Sequence, residues 1–382
     1  MVLLAPPLSP VLTRTISGAP SLGRLGPNWY ATVMGTAIVG TAGSALPAHV
    51  PGLRAGCTVL WGLSAVMLAV LLTARACHWA RHREQARAHL LDPAVAPFHG
   101  CVPMALLAVG AATLAVGRDV LGERTAVAVD AVLFGTGTAL GLTVAVVIPY
   151  LMVVRHRLTP ADASPVWLLP VVAPMVSAAA GPALVPYLPA GQGRATLLLG
   201  CYALFGISLL ATLTMLPLIF GRLVTHGPLP LAMTPLLLLV LGPLGQSATA
   251  AGQLAQVAPE AVGAPYGRAF GAFAVLYGVP VLGFALLWLV LAGALVLRAL
   301  RRGMRFSMTW WAFTFPVGTC VTGAAGLARR TGLVVFDVLA VGLFCLLVLA
   351  WAVAWSNTLR GLLSGALLAA PPAPGPGTVR TR

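Results

Sequence analysis

The chain contains no lysine: all 23 of its basic residues are arginine. Acidic residues are scarcer still, eight in 382. Charged residues therefore make up 8% of the chain, against about a quarter in an ordinary soluble domain. Two or three soluble domains of this length would need far more polar surface than that. An ordinary cytosolic enzyme and a secreted domain are both excluded. Paired cysteines are absent too. Cys57, Cys77, Cys101, Cys201, Cys320 and Cys345 include no C-x-x-C, and most lie inside apolar runs. They read as small buried hydrophobes rather than disulfides or metal ligands. The seven histidines offer one i, i+4 pair, His78 and His82, set among Arg75, Arg81 and Arg83, where a cation is disfavoured. No metal and no cofactor is expected. The stretch Met1–Leu12 is broken by Pro6, Pro7 and Pro10 and has no basic start, so it does not read as a signal peptide.

What the chain has instead is apolar length. Hydrophobic residues make up 59% and the mean hydropathy is +0.95. A net charge of +15 could suggest nucleic acid, but the arginines stand singly or in short clusters between long apolar runs. That is the membrane pattern, and no nucleic-acid partner is expected. A helix needs about 20 mainly apolar residues to cross the hydrocarbon core. That ruler gives ten spans, near 28–47, 57–79, 98–117, 126–154, 165–188, 195–220, 229–254, 269–298, 308–328 and 332–358. The expected organisation is a disordered tail at 1–26, one transmembrane domain at 27–359, and a second disordered tail at 360–382. An even count puts both termini on one side. Sixteen arginines fall on the terminal side and seven on the other, which places both termini in the cytoplasm of a multi-pass cell-membrane protein.

The spans alternate in character. Odd-numbered spans carry helix breakers in their interiors: Pro103, Pro170 and Pro174, Pro235 and Pro243, Pro316, and in the first Gly35, Gly40 and Gly43. The second and tenth spans have no proline, and the other even spans hold one each, Pro149, Pro217 and Pro280. Proline kinks a membrane helix and is tolerated where neighbours or water satisfy the freed carbonyl. The odd helices are therefore expected inside and the even ones toward lipid. Odd spans recur about every 70 residues, which suggests five helical hairpins repeated around an axis. The interior holds no Arg, Asp or Glu. Its polar groups are Thr32, Thr36, Ser177, Thr234, Gln246, Ser247, Thr249, Gln253, Thr314, Thr319 and Thr322. Asp130 and Asp337, the only intramembrane carboxylates, lie near the ends of even spans. An uncharged, hydroxyl-lined path in a positive protein suits a small anion, and kinked helices would offer it exposed amide ends.

Four stretches go further. The first span reads Pro27-Asn28-Trp29-Tyr30-Ala31-Thr32-Val33-Met34-Gly35-Thr36. The fifth reads Ser164-Pro165-Val166-Trp167-Leu168-Leu169-Pro170, then Pro174 and Gly181-Pro182. The seventh carries His226-Gly227-Pro228-Leu229-Pro230 and Leu241-Gly242-Pro243-Leu244-Gly245-Gln246-Ser247. The ninth reads Phe306-Ser307-Met308-Thr309-Trp310-Trp311-Ala312-Phe313-Thr314-Phe315-Pro316. Together they resemble the tellurite-resistance/dicarboxylate transporter family, which includes the bacterial TehA channel homologue, malate permeases, sulfite efflux pumps and plant slow-type anion channels. The resemblance runs from about residue 27 to about 358. It implies an all-α integral membrane fold of ten transmembrane helices, a pore in each subunit, and a homotrimer in the lipid bilayer. It also implies a phenylalanine gate. Phe315 matches that position, with Phe313 the competing choice. The two are about 200° apart on a helix, so only one can face the pore. Pore-lining candidates are Thr32, Thr36, Pro103, Pro170, Pro174, Thr234, Pro243, Gln246, Thr314 and Pro316.

Passage of a small inorganic or carboxylate anion is the leading function. The alternative is a proton-coupled transporter of C4-dicarboxylate, sulfite or tellurite, with Asp130 or Asp337 titrating. A membrane-embedded enzyme would need clustered nucleophiles, carboxylates or metal ligands at membrane depth, and none is visible.

Overall fold

The computed structural model describes residues 26–47, 50–81, 83–365 and 367. Most of the two expected tails, and His82, lie outside the described residues. The described chain is helical, without a strand. Its α-helices are α1 (Tyr30–Ala45), α2 (Leu53–Arg81), α3 (Arg83–Leu91), α4 (Cys101–Ala112), α5 (Arg118–Leu121), α6 (Glu123–Val154), α7 (Leu168–Ala180), α8 (Gln192–His226), α9 (Leu241–Ala261), α10 (Tyr266–Arg301), α11 (Phe315–Thr331) and α12 (Val334–Leu363). A π-turn at Thr113–Gly117 joins α4 to α5. The last helix continues to Leu363, past the boundary expected at 359.

Among the described residues, nine helical segments are long and apolar enough to cross a membrane. They correspond to the second through tenth expected spans. The first span differs: it folds as a 3₁₀ turn, Pro27–Trp29, followed by the 16 residues of α1. Its end has a local cause. Leu46 precedes Pro47 and is extended, with φ −64° and ψ 144°, because the residue before proline is pushed out of the helical region.

Burial alternates along the chain. In their most apolar stretches Ala96–Leu121, Pro165–Tyr187, Leu231–Ala261 and Met308–Thr331 are 72–94% buried, whereas the five segments between and beside them are 17–28% buried. Twelve of the 16 residues of α1 are buried as well. Each buried helix packs on the exposed one that follows it: α1 on α2, α4 on α6, α7 on α8, α9 on α10 and α11 on α12. The buried helices also contact one another in a closed cycle, α1 to α4 to α7 to α9 to α11 and back to α1. The exposed side chains of α2, α6, α8, α10 and α12 are rich in valine and leucine, among them Val66, Val132, Leu210, Leu287 and Leu349. Such a surface is stable only against an apolar solvent.

Indole donors tie helices together within and between the pairs. Indole N–H groups cross within pairs from Trp311 to Thr358 Oγ1 (2.9 Å) and from Trp288 to the Leu237 carbonyl (2.9 Å), and between the last pair and the first from Trp351 to Thr36 Oγ1 (3.1 Å). Trp61 on α2 donates to Thr113 Oγ1 at 2.8 Å, on the π-turn. Arg75 Nη2 donates to His99 Nε2 at 3.0 Å while His99 Nδ1 donates to the Ala96 carbonyl at 3.0 Å, an arrangement that fits the neutral imidazole.

Every buried helix is entered through a 3₁₀ segment: Pro27–Trp29, Ala96–Gly100, Pro165–Trp167, Leu231–Val240 and Met308–Phe313. This corrects two expectations. Pro103, Pro170 and Pro243 are each the third residue of their α-helix, and Pro316 the second of α11. In the first turn a proline removes no i→i−4 bond, so these residues start helices rather than kink them. Pro174 lies inside α7 and Pro235 inside a 3₁₀ segment. Nor is the first amide left open where α1, α4, α7 and α9 begin. The N–H groups of Tyr30, Cys101, Leu168 and Leu241 are bonded to 3₁₀ carbonyls, those of Asn28, Phe98, Pro165 and Leu238 among them.

Candidate functional site

Two cavities lie inside the cycle of buried helices, and Phe315 lines both. The larger, about 520 Å³, takes residues from all five helices: Ile38, Leu107, Val176, Gln246 and Phe315 each represent one. It sits toward the C-terminal ends of those helices, reaching Ala45, Ala180, Val257 and Arg329. The smaller, about 280 Å³, sits at their starts, against Ala31, Cys101, Leu169, Leu239, Trp311 and Pro316. Phe315 itself is 4% exposed. Phe313 is half-buried and stands edge-on to Trp310, with ring centroids 5.7 Å apart.

The two cavities differ in chemistry. The smaller is walled mainly by apolar side chains, with Asn28, Ser307 and Thr309 among its polar members. The hydroxyls of Ser307 and Thr309 are already engaged with each other at 2.8 Å, and Thr309 donates to the Ala232 carbonyl at 2.7 Å. The larger cavity carries a polar stripe. On α9 Gln246, Thr249, Gln253 and Gln256 recur at steps of three and four residues, one helical face. On α11 Phe315, Thr322 and Arg329 are seven residues apart and share a face. Thr249 and Thr322 meet hydroxyl to hydroxyl at 2.7 Å, and Thr249 lies 3.1 Å from the Thr319 carbonyl. Gln246 is 6% exposed, and its Oε1 has no hydrogen-bond partner among the described residues.

Close approach of α9 and α11 depends on glycine. A Cβ on Gly245 would lie 2.5 Å from Thr319 Oγ1 and 2.6 Å from the Cys320 backbone nitrogen. On Gly323 it would touch Ala248 at 3.2 Å.

Arginines gather at the wide mouth. Arg54, Arg118 and Arg329 line the larger cavity, and a contiguous recess of about 380 Å³ adds Arg330. Arg54 is paired with Asp119 through two hydrogen bonds, 2.5 and 2.8 Å. Among the described residues Arg118, Arg329 and Arg330 form no ion pair. Arg329 donates to the Ala45 carbonyl at 2.9 Å and Arg330 to the Gly252 carbonyl at 3.3 Å. Their remaining N–H donors set up a positive potential at this end.

Of the residues singled out from sequence, Gln246, Thr249, Gln253 and Thr322 border the larger cavity, Pro316 the smaller and Phe315 both. Others are placed at helix contacts. Thr36 receives the Trp351 indole from α12 and donates to the Thr32 carbonyl. Thr32 donates to the Trp29 carbonyl and Thr314 to the Trp311 carbonyl. Pro103 faces Gly141 of α6, whose built Cβ would sit 3.6 Å away. Thr234 lines a separate recess beside Arg298 and Arg302. Pro170, Pro174 and Pro243 are buried. Asp130 is buried in α6 against Gly110 of α4, with Oδ2 unpartnered, and lines neither cavity. Asp337 is half-buried in the first turn of α12. Among the described residues no three His, Cys, Asp or Glu side chains are grouped to hold a metal. Sequence reasoning missed Arg329 and Gln256. In the sequence Arg329 is one of the arginines that set topology, and its fourteen-residue offset from Phe315 is the signal that places both on one helix face.

Residues 24–359 match the family described as voltage-dependent anion channels (SLAC1). The chain belongs to that family. A sulfite efflux pump of Arthroderma otae is 29% identical over 341 residues, covering 87% of this chain and 89% of the relative. One from Trichophyton rubrum is 27% identical over 339 residues, covering 87% and 89%. An uncharacterized transporter of Methanocaldococcus jannaschii is 24% identical over 341 residues, covering 89% and 94%. Membership of this anion-channel family agrees with the resemblance drawn from the four sequence stretches.

Proposed function

We propose that the chain carries small anions across the cell membrane, along the axis enclosed by its five buried helices, and that Phe315 closes the path. The observation that carries this reading is the position of one side chain: a nearly fully buried ring that walls two cavities on opposite sides. An aromatic ring in a narrow apolar neck stops ions by sterics and by excluding water. Phe313, packed edge-on to Trp310, lines neither cavity, which favours Phe315 over it. No carboxylate lines either cavity, so nothing there repels an anion.

Ten crossings, arranged as five hairpins, fit the packing. The 3₁₀ turn Pro27–Trp29 and α1 together reach about 30 Å, the thickness of the hydrocarbon core. The arginine asymmetry supports cytoplasmic termini, and the family resemblance supports a homotrimer with one path per subunit. Phe315→Ala should raise anion conductance several-fold in planar bilayers or oocytes. Unchanged or lower conductance at normal expression would remove the gate.

A second reading is proton-coupled transport of sulfite, C4-dicarboxylate or tellurite, and the names of the fungal relatives favour sulfite. It requires a titrating group. Neutralising Asp130 and Asp337 together should then abolish pH-driven uptake, whereas a simple conductive path keeps its flux.

A further inference from the structure

We infer that the recess between α10 and the 3₁₀ lead-in Leu231–Val240 holds the phosphate of an anionic phospholipid, clasped by Arg298 and Arg302. The recess, about 250 Å³, shares no lining residue with the two cavities on the enclosed axis. Its occupant is a separate ligand from any ion that the axis carries.

Depth in the bilayer comes first. On α10, Arg268 and Arg298 bound a stretch without a charged residue. Their separation along the helix is about 45 Å, the thickness of a bilayer with its headgroup layers. Arg298 and Arg302, in and just past the last turn of α10, therefore stand at headgroup level. Leu295, Arg298, Ala299 and Arg302 follow one another at steps of three and four, so one face of α10 meets the lead-in. The lead-in answers with Leu231, Thr234 and Leu237, which share a face because positions three apart eclipse in a 3₁₀ helix. The gap between these walls is held by the Trp288 indole on the Leu237 carbonyl (2.9 Å), and the loop before the lead-in by Arg222 on the Gly227 carbonyl (2.6 Å).

The charge of the recess has no counter-charge in the protein. No Asp or Glu occurs between Glu260 and Asp337, and the ion pairs among the described residues are Arg54–Asp119 and Arg194–Glu260. The end of α10 does not draw the guanidiniums back either. The carbonyls of Arg298, Ala299 and Leu300 are taken by the N–H groups of Arg302, Gly303 and Met304. Two guanidiniums one turn apart, each a planar fork of donors, suit the oxygens of one phosphate. A lipid fits better than a soluble phosphate because the recess is graded. Leu295 lies about 10 Å deeper along α10 than Arg302, and the exposed Leu291 and Leu297 flank it toward the hydrocarbon. A mouth that is cationic over walls that are apolar takes a phosphate with its glycerol and acyl chains beneath. A free phosphate would leave the apolar part unfilled.

The test uses the full-length protein in mild detergent, with phosphatidylglycerol, phosphatidylcholine and inorganic phosphate as probes. Native mass spectrometry reads the ratio of phosphatidylglycerol to phosphatidylcholine retained, and thermal unfolding reads the stabilisation that each probe gives. The parent should retain phosphatidylglycerol preferentially and be stabilised by it above the other two. Arg298→Gln combined with Arg302→Gln should lower the ratio about 25-fold, a factor of about five for each arginine beside an anionic headgroup, and remove the stabilisation. Arg301→Gln combined with Arg305→Gln removes the same charge from residues that do not line the recess, and should leave both readouts unchanged. Arg302→Ala alone carries the same reading should the first double variant fail to yield a monodisperse protein. A parent without preference for phosphatidylglycerol, equal losses from the two double variants, or stabilisation by inorganic phosphate as large as by the lipid each overturns the site.

Discussion

Gln246 and Gly245 are neighbours with opposite duties. Gln246 lines the larger cavity, while Gly245 turns its missing side chain toward α11. A methyl at Gly245 would be pressed against backbone of Thr319 and Cys320 at 2.6–2.7 Å, which a rotamer change cannot relieve. Gly245→Ala should lower stability by about 1–3 kcal/mol, read as an earlier thermal transition in detergent. At Gly242 a Cβ meets nothing within 4 Å, so Gly242→Ala should leave that transition unchanged or slightly raised. At this scale the sequence was partly legible. Phe315 was singled out only through the family resemblance, by its place in Thr314-Phe315-Pro316, and its ring lines both cavities. Thr36 and Thr314 could not be placed, because a hydroxyl in an apolar span can face an opening or bond back to a carbonyl three or four residues earlier. Here both do the latter.

The recurrent element is a 3₁₀ lead-in followed by an α-helix whose first turn holds proline. Sequence reasoning saw the prolines and placed them in helix interiors, because a run such as Leu231–Ala261 has no break in apolarity to mark the change of winding. Only the proline offsets carry the signal: Pro103, Pro170 and Pro243 all stand two residues after the first α-helical residue. A proline there should be dispensable. Pro243→Ala is expected to shift stability by less than about 1 kcal/mol, whereas Ala250→Pro, in the middle of α9, should cost about 3 kcal/mol or more. Paired melting curves of the two variants in one detergent check this. An equal loss from both would mean that Pro243 does more than begin its helix.

For the whole molecule, alternation was the legible feature. Odd spans interior and even spans outward could be read from breakers and from missing charge, and the burial of the described segments follows that pattern. Cyclic packing was less legible, because which helix touches which is written in small residues facing each other across hundreds of positions. Two predictions belong here. A fluorescent protein fused after Arg302 should fluoresce in a bacterial host and one fused after Gly191 should not, which fluorescence of whole cells will report. Arg329→Gln should reduce anion flux more at low than at high ionic strength, because salt screens a charge at the mouth. The cycle closes between its first and last members: α11 packs on α1, Arg329 bonds the Ala45 carbonyl, and Trp351 reaches Thr36. Chains are made from the N-terminus at about 5–20 residues per second, so α1, already packed on α2 and α4, must wait for its contact with α11 until residues near 331 have left the ribosome. Phe315, Thr322 and Arg329 arrive in that same final stretch. Until then the cycle of buried helices stays open on one side, and Phe315 enters it together with the helix that closes it.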